Sequence, residues 1–107
     1  MRFAEKTRTF VGVRPDHGGR LELKLARANE TRAEYVLTLL TPEAELCSRV
    51  TLDAPEASLE LADWQGGVPP AWLSSYAHAL LRSVLRTKSS EGSWPRRLTR
   101  WRSAPKV

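Results

Sequence analysis

Hydrophobic and polar residues alternate along several short segments in the first two thirds of the chain. Residues 20–27 read Arg-Leu-Glu-Leu-Lys-Leu-Ala-Arg, which places three leucines on one face and charged side chains on the other. A period of two over eight residues is typical of a β-strand with one buried face and one solvent-exposed face. Similar alternation, together with β-branched and aromatic residues, predicts five strands, at residues 7–13, 20–27, 32–40, 45–52 and 57–63.

Turn-forming residues separate these predicted strands. Residues 14–19 contain Pro15, Asp16 and two consecutive glycines, and this composition favours a hairpin that pairs residues 7–13 with residues 20–27. Further turns are predicted at residues 28–31, 41–44 and 53–56. Short connections between consecutive strands predict an antiparallel up-and-down meander of four to five strands.

A helical periodicity begins after Pro70. The apolar residues that recur there every three or four positions are Trp72, Leu73, Tyr76, Ala77, Leu80, Leu81, Val84 and Leu85. This spacing predicts one amphipathic helix over residues 70–87, whose apolar side covers one face of the sheet. Residues 1–88 are therefore predicted to form a single α+β domain.

Residues 89–107 are predicted to be a connection followed by a segment rich in arginine and tryptophan. Lys88–Ser93 has the composition of a flexible linker. As a helix, the segment after it would place Trp94, Leu98 and Trp101 on one face. As a strand, it would place Leu98 on the face opposite Trp101. We favour a short helix or turn, with the last residues frayed.

Positive charge is concentrated in the last third of the chain. Residues 1–70 contain nine basic and eleven acidic side chains, whereas residues 71–107 contain eight basic side chains and one acidic side chain. Such asymmetry indicates an anionic partner. Arginine binds phosphate through two hydrogen bonds and indole rings stack on unpaired bases, so DNA or RNA is the leading candidate. The predicted nucleic-acid-binding residues are Arg82, Arg86, Lys88, Trp94, Arg96, Arg97, Arg100, Trp101 and Arg102.

Two other interpretations remain open. The tryptophans of the C-terminal segment can instead close a small core while the arginines only increase solubility. The chain would then be a protein-interaction or homodimeric module, pairing through the edge strand 7–13 or through Trp64 and Trp72. The outward residues of the predicted sheet have mixed charge, so a phosphate-binding groove on that face is not expected.

Catalytic and metal-binding signatures are absent from the sequence. A small enzyme would need His17, in the turn Asp16–Gly19, to lie beside Cys47, His78 or an acidic group. The glycine pairs lack the spacing and the lysine of a phosphate-binding loop. We therefore predict a non-enzymatic protein with no cofactor, no metal, no small-molecule substrate and no membrane partner. The single cysteine and the charged N-terminus indicate the cytoplasm.

Overall fold

The structure, a computed structural model, describes residues 14–105. Five strands and one helix follow one another in the order β1 (Gly19–Ala28), β2 (Arg32–Leu40), β3 (Glu45–Asp53), β4 (Ser58–Leu61), α1 (Ala71–Glu91) and β5 (Arg97–Arg102). All neighbouring strands are antiparallel, and their order across the sheet is β4-β3-β2-β1-β5. The predicted α+β class, an antiparallel sheet with one helix, is confirmed.

The core lies between α1 and one face of the sheet. Alternation along the strands supplies that face, because every second side chain points toward the helix. The buried residues that form this core are Leu21, Leu23, Ala33, Tyr35, Leu37, Leu39, Leu46, Val50, Leu52, Leu73, Ala77, Leu80, Leu81, Val84 and Leu85. We call the opposite side of the sheet the outer face. Its side chains include Arg20, Glu22 and Lys24, as the alternation predicts.

The helix is longer than the sequence predicted. It continues through Lys88 to Glu91, so the prediction of a flexible connection over Lys88–Ser93 is wrong. Gly92 ends it in the left-handed conformation, with φ of 79°, and its amide donates to the Lys88 carbonyl. The Lys88 side chain folds over the Trp94 ring and donates to the Gly92 carbonyl at 3.0 Å. These contacts stabilise the last turn of the helix. The predicted domain boundary at residue 88 therefore lies inside α1.

The C-terminal segment forms a strand, so the prediction of a short helix or turn there is wrong. β5 pairs with β1 from Gly19↔Arg102 to Lys24↔Arg97. Without β5, the amides and carbonyls on one side of β1 would be unpaired. The hydrogen bonds that β5 makes to them outweigh the helical preference of residues 94–102. Residues 7–13, the predicted hairpin partner, lie outside the described residues. The side of β1 that such a hairpin would use is occupied by β5.

Tyr35 forms a hydrogen bond with the segment that precedes β5. Tyr35 is a buried residue of β2, and its hydroxyl donates to the Pro95 carbonyl at 2.7 Å. The neighbouring Trp94 ring meets the Tyr35 ring edge-on, and Trp94 Nε1 donates to the Asn29 carbonyl at 2.9 Å. Trp94 is therefore half-buried against the core, as the alternative interpretation had it for this tryptophan, whereas Trp101 stays exposed.

Alkaline pH is expected to weaken the protein through Tyr35. Burial raises the pKa of Tyr35 from 10.0 to about 12, because the phenolate would lose its hydration. The folded state thus retains a proton that the unfolded state releases, so the contribution of Tyr35 to stability is constant below pH 10 and falls between pH 10 and pH 12. The shift corresponds to a loss of about 2–3 kcal/mol.

Urea unfolding of the wild type and of Tyr35→Phe tests this expectation. Near neutral pH the wild type is expected to be more stable by about 1 kcal/mol, the typical net value of one hydrogen bond. Near pH 12 the order is expected to reverse, since phenylalanine does not titrate. Parallel pH profiles for the two proteins would contradict the assignment to Tyr35.

Candidate functional site

The β5 strand carries basic side chains on both of its faces. Pairing with β1 places Leu98, Arg100 and Arg102 on the side of α1, because their partners are Leu23, Leu21 and Gly19. The other three residues of the strand, Arg97, Thr99 and Trp101, lie on the outer face. Five of these six residues are exposed, Leu98 being the half-buried one. We call β5 with these side chains the basic edge.

The backbone of β5 presents one free side to solvent. The amide of Leu25 donates to the Arg96 carbonyl at 2.9 Å. This bond shows that Arg96 and every second residue after it direct their backbone groups toward β1. Because the pattern alternates in an antiparallel pair, the amides and carbonyls of Arg97, Thr99 and Trp101 point away from β1. Among residues 14–105, no strand pairs with this side of β5.

Two arginines cap the carbonyls on this free side. Arg100 Nη1 donates to the Thr99 carbonyl at 2.9 Å, and Arg102 Nη1 donates to the Trp101 carbonyl at 2.8 Å. One of the two lone pairs of each carbonyl oxygen is thereby engaged, whereas the amides of Thr99 and Trp101 and the remaining guanidinium N–H groups stay directed outward. The basic edge consequently presents hydrogen-bond donors and positive charge side by side.

The arginines of this region have no acidic counterpart in the described structure. Three arginines of β1 and β2 form ion pairs, Arg20 with Glu22, Arg27 with Glu34 and Arg32 with Asp53. Within residues 14–105, no carboxylate lies within 4.0 Å of the guanidinium groups at positions 96, 97, 100 and 102. Half of the eight basic residues in the last third of the chain thus lie at one edge of the sheet, with no acidic partner among the described residues.

A shallow cleft separates the basic edge from α1. It has a volume of about 150 Å³ and is lined by Leu21, Tyr76, Ala79, Leu80, Ser83, Arg100 and Arg102. The Arg102 guanidinium lies 5.3 Å from the centre of the Tyr76 ring, within range of a cation–π interaction. Tyr76 is 41% exposed although it belongs to the apolar stripe of the helix. We call this feature the α1–β5 cleft.

Trp101 borders the basic edge on the outer face. Its Nε1 donates to the His17 carbonyl at 3.2 Å, and the His17 ring meets the indole edge-on. Gly18, with φ of 75°, passes so close that an added Cβ would lie 2.8 Å from the indole ring. These contacts fix the ring while 44% of the residue stays exposed. Trp101 can therefore offer a rigid aromatic surface to a ligand.

The nine predicted binding residues do not form a single surface. Arg100, Trp101, Arg102 and Arg97 share β5, and Arg96 is exposed just before it. Lys88 and Trp94 contact each other and hold the end of α1. Arg82 and Arg86 are exposed, and the helical period places them opposite the buried stripe of α1.

Two features of the site were missed in the sequence. Tyr76 was assigned to the core, and only its position at the margin of the apolar stripe hints at exposure. The free backbone donors of β5 have no sequence signal of their own, because they depend on the pairing with β1.

The residues considered for catalysis lie on different elements. His17 contacts Trp101, His78 bonds through Nδ1 to the Ser74 carbonyl on α1, and Cys47 lies on the outer face of β3 opposite Thr38. Burial raises the pKa of the Cys47 thiol above its ordinary value, which lowers its reactivity. In the described range, no three His, Cys, Asp or Glu side chains are grouped as metal ligands require. No helix there is long and apolar enough to cross a membrane.

Comparison of the chain with protein families, with curated proteins and with solved structures found no match in any of the three.

Proposed function

We propose that this protein is a non-enzymatic domain that binds single-stranded nucleic acid along the basic edge. The observation that carries the proposal is the capping of the Thr99 and Trp101 carbonyls by Arg100 and Arg102. It leaves the edge with donors and positive charge, which match the oxygens of a phosphate backbone. In this proposal Arg97, Arg100 and Arg102 contact phosphates, and Trp101 stacks on a base.

The spacing of the edge suits an extended chain of phosphates. Alternate residues of a strand lie about 6.6 Å apart, and Arg100 and Arg102 are alternate residues on the same face. Successive phosphates of a stretched single strand can follow such a row. A duplex has its phosphates on two curved strands, and one straight six-residue strand offers it fewer contacts. DNA and RNA fit this edge equally well.

A protein partner is the second candidate, and the exposed loop before α1 favours it. Val68 is 90% exposed next to the half-buried Trp64 and Trp72, which is the region considered above for homodimerisation. Strand addition at β5 is disfavoured, since the Arg100 and Arg102 side chains lie against the carbonyls that an incoming strand would have to reach. A cytoplasmic location remains a prediction from the sequence and is part of this proposal.

Two matched double variants test the basic edge. Arg100→Gln with Arg102→Gln removes two charges from the edge, whereas Arg82→Gln with Arg86→Gln removes two charges from the back of α1. We expect the first pair to weaken binding of a labelled single-stranded oligonucleotide by about tenfold or more, the equivalent of one lost charge-assisted hydrogen bond. The second pair is expected to change it little. Fluorescence anisotropy at several salt concentrations measures both.

The salt dependence distinguishes contact from long-range attraction. Each phosphate contact to a single strand contributes about 0.7 to the slope of log affinity against log salt. The edge variant is therefore expected to lose about 1.4 from the slope. Equal weakening by both variants would contradict a site on β5. Binding of polyglutamate in preference to the oligonucleotide would reject nucleic acid in favour of an acidic protein.

A further inference from the structure

The α1–β5 cleft combines an apolar floor with charged and aromatic walls. Leu21 and Leu80 form the buried floor, and Ala79 lies at the rim on α1. On the other side stand Arg100 and Arg102, whose guanidinium groups are oriented by their bonds to the β5 carbonyls. A ligand that fits here needs a flat apolar surface joined to an anionic group.

The Tyr76–Arg102 pair offers a stacking surface. The guanidinium is held at one end by the Trp101 carbonyl and lies 5.3 Å from the Tyr76 ring centre. Tyr76 itself is held edge-on by Trp72, with ring centres 6.3 Å apart. Both aromatic rings and guanidinium planes stack on nucleobases. The orientation of the pair is thus set before a ligand arrives.

The size and polar groups of the cleft limit what it can take. Its volume of about 150 Å³ is about five times the share of one water molecule in the liquid, so it has room for one ring system. Ser83 Oγ donates to the Leu80 carbonyl at 2.7 Å. The Ser83 oxygen can therefore only accept a hydrogen bond from a ligand, such as one from an N–H group on the edge of a base.

We infer that the α1–β5 cleft is a base-binding subsite of the single-stranded nucleic acid whose phosphates contact the basic edge. One base enters the cleft against Tyr76 and Arg102, while its phosphate meets Arg100. The inference rests on the proposed function and adds base recognition on the side of α1, across the strand from Trp101. Stacking is tolerant of sequence, so the subsite favours a free base over a paired one rather than one particular base.

A base-bearing and a base-free ligand separate this subsite from phosphate binding. The first probe is a labelled oligoadenylate, and the second has the same length and phosphates but abasic residues throughout. Tyr76→Leu keeps an apolar side chain but removes the ring, and Tyr76→Phe keeps the ring. Tyr76→Leu is expected to weaken oligoadenylate binding about fivefold or more, and to leave abasic binding unchanged. Tyr76→Phe is expected to bind both probes as the wild type does.

Ala79→Leu gives an independent test, because it fills the cleft from an exposed helical position and leaves Tyr76 and the arginines in place. This variant is also expected to weaken oligoadenylate binding and to leave binding of the abasic probe unchanged. Its circular dichroism spectrum is expected to match that of the wild type. Oligoadenylate affinity that is the same in the wild type, Tyr76→Leu and Ala79→Leu would overturn the subsite while leaving binding at the basic edge intact. Failure of the wild type to bind either probe would overturn the proposed function and the subsite together.

Discussion

Deletion of residues 94–107 is expected to abolish cooperative folding, although the whole helix and four strands would remain. The deletion removes the Trp94 packing, the Tyr35–Pro95 hydrogen bond and all of β5. It also leaves β1 with unpaired amides and carbonyls beside the buried Leu21 and Leu23. A domain of this size has about 5–15 kcal/mol of stability in total. The Trp94 packing, the Tyr35–Pro95 bond and each lost backbone bond between β1 and β5 contribute about 1 kcal/mol or more apiece, so their sum approaches that total.

A shorter deletion is the control. Removing residues 103–107 takes away no part of a described strand or helix, so the melting temperature is expected to stay within a few degrees of the wild type. Thermal unfolding followed by circular dichroism compares the two deletions. A sharp transition at the wild-type temperature in the longer deletion would show that β5 is dispensable for folding, as a frayed tail would be.

Leu37→Ala is expected to destabilise the protein by about 3–5 kcal/mol. Leu37 is fully buried at the middle of β2, which is the central strand of the sheet, and its partners are Leu23 on β1 and Ser48 on β3. The truncated side chain would leave a void between the sheet and α1. Because both elements are pinned by many other contacts, the void can collapse only in part.

Its neighbour on the outer face provides a matched comparison. Val36 is half-buried opposite Lys24 and Arg49, and Val36→Ala is expected to cost about 1 kcal/mol or less. Chemical denaturation of both variants, analysed with a common denaturant slope, gives the difference. Equal destabilisation at the two positions would mean that the outer face carries as much of the packing as the face under α1.

The strands and the helix could be predicted because their patterns are local. The alternation predicted a strand over residues 20–27. β1 is Gly19–Ala28, one residue longer at each end, with an irregularity in its pairing between Leu25 and Arg27. The predicted strand 32–40 coincides with β2, and 45–52 is one residue short of β3. The last predicted strand, 57–63, was too long, because β4 covers Ser58–Leu61, after which Ala62 and Gln65 make only isolated backbone bonds to β3. In each case the side chains that face the core specify the register.

The C-terminal strand could not be predicted for a physical reason. Arg97–Arg102 has apolar and basic residues that satisfy a helical and a strand pattern about equally, and what decides is the free side of β1 far away in the sequence. For the same reason, the geometry of the candidate site could not be predicted from the sequence. Charge asymmetry located the arginines, but the capped carbonyls, the exposed Tyr76 and the cleft between them exist only once β5 lies beside β1.

The pairing of β5 with β1 also has a consequence for protein synthesis. Gly19 is made early, whereas its partner Arg102 is made near the end of the described chain. During translation β1 can pair with β2, yet its pairing with β5 cannot be completed until residue 102 has left the ribosome. The sheet is therefore completed only after release of that segment, by a contact between distant parts of the chain, which is the kind of contact that forms slowly.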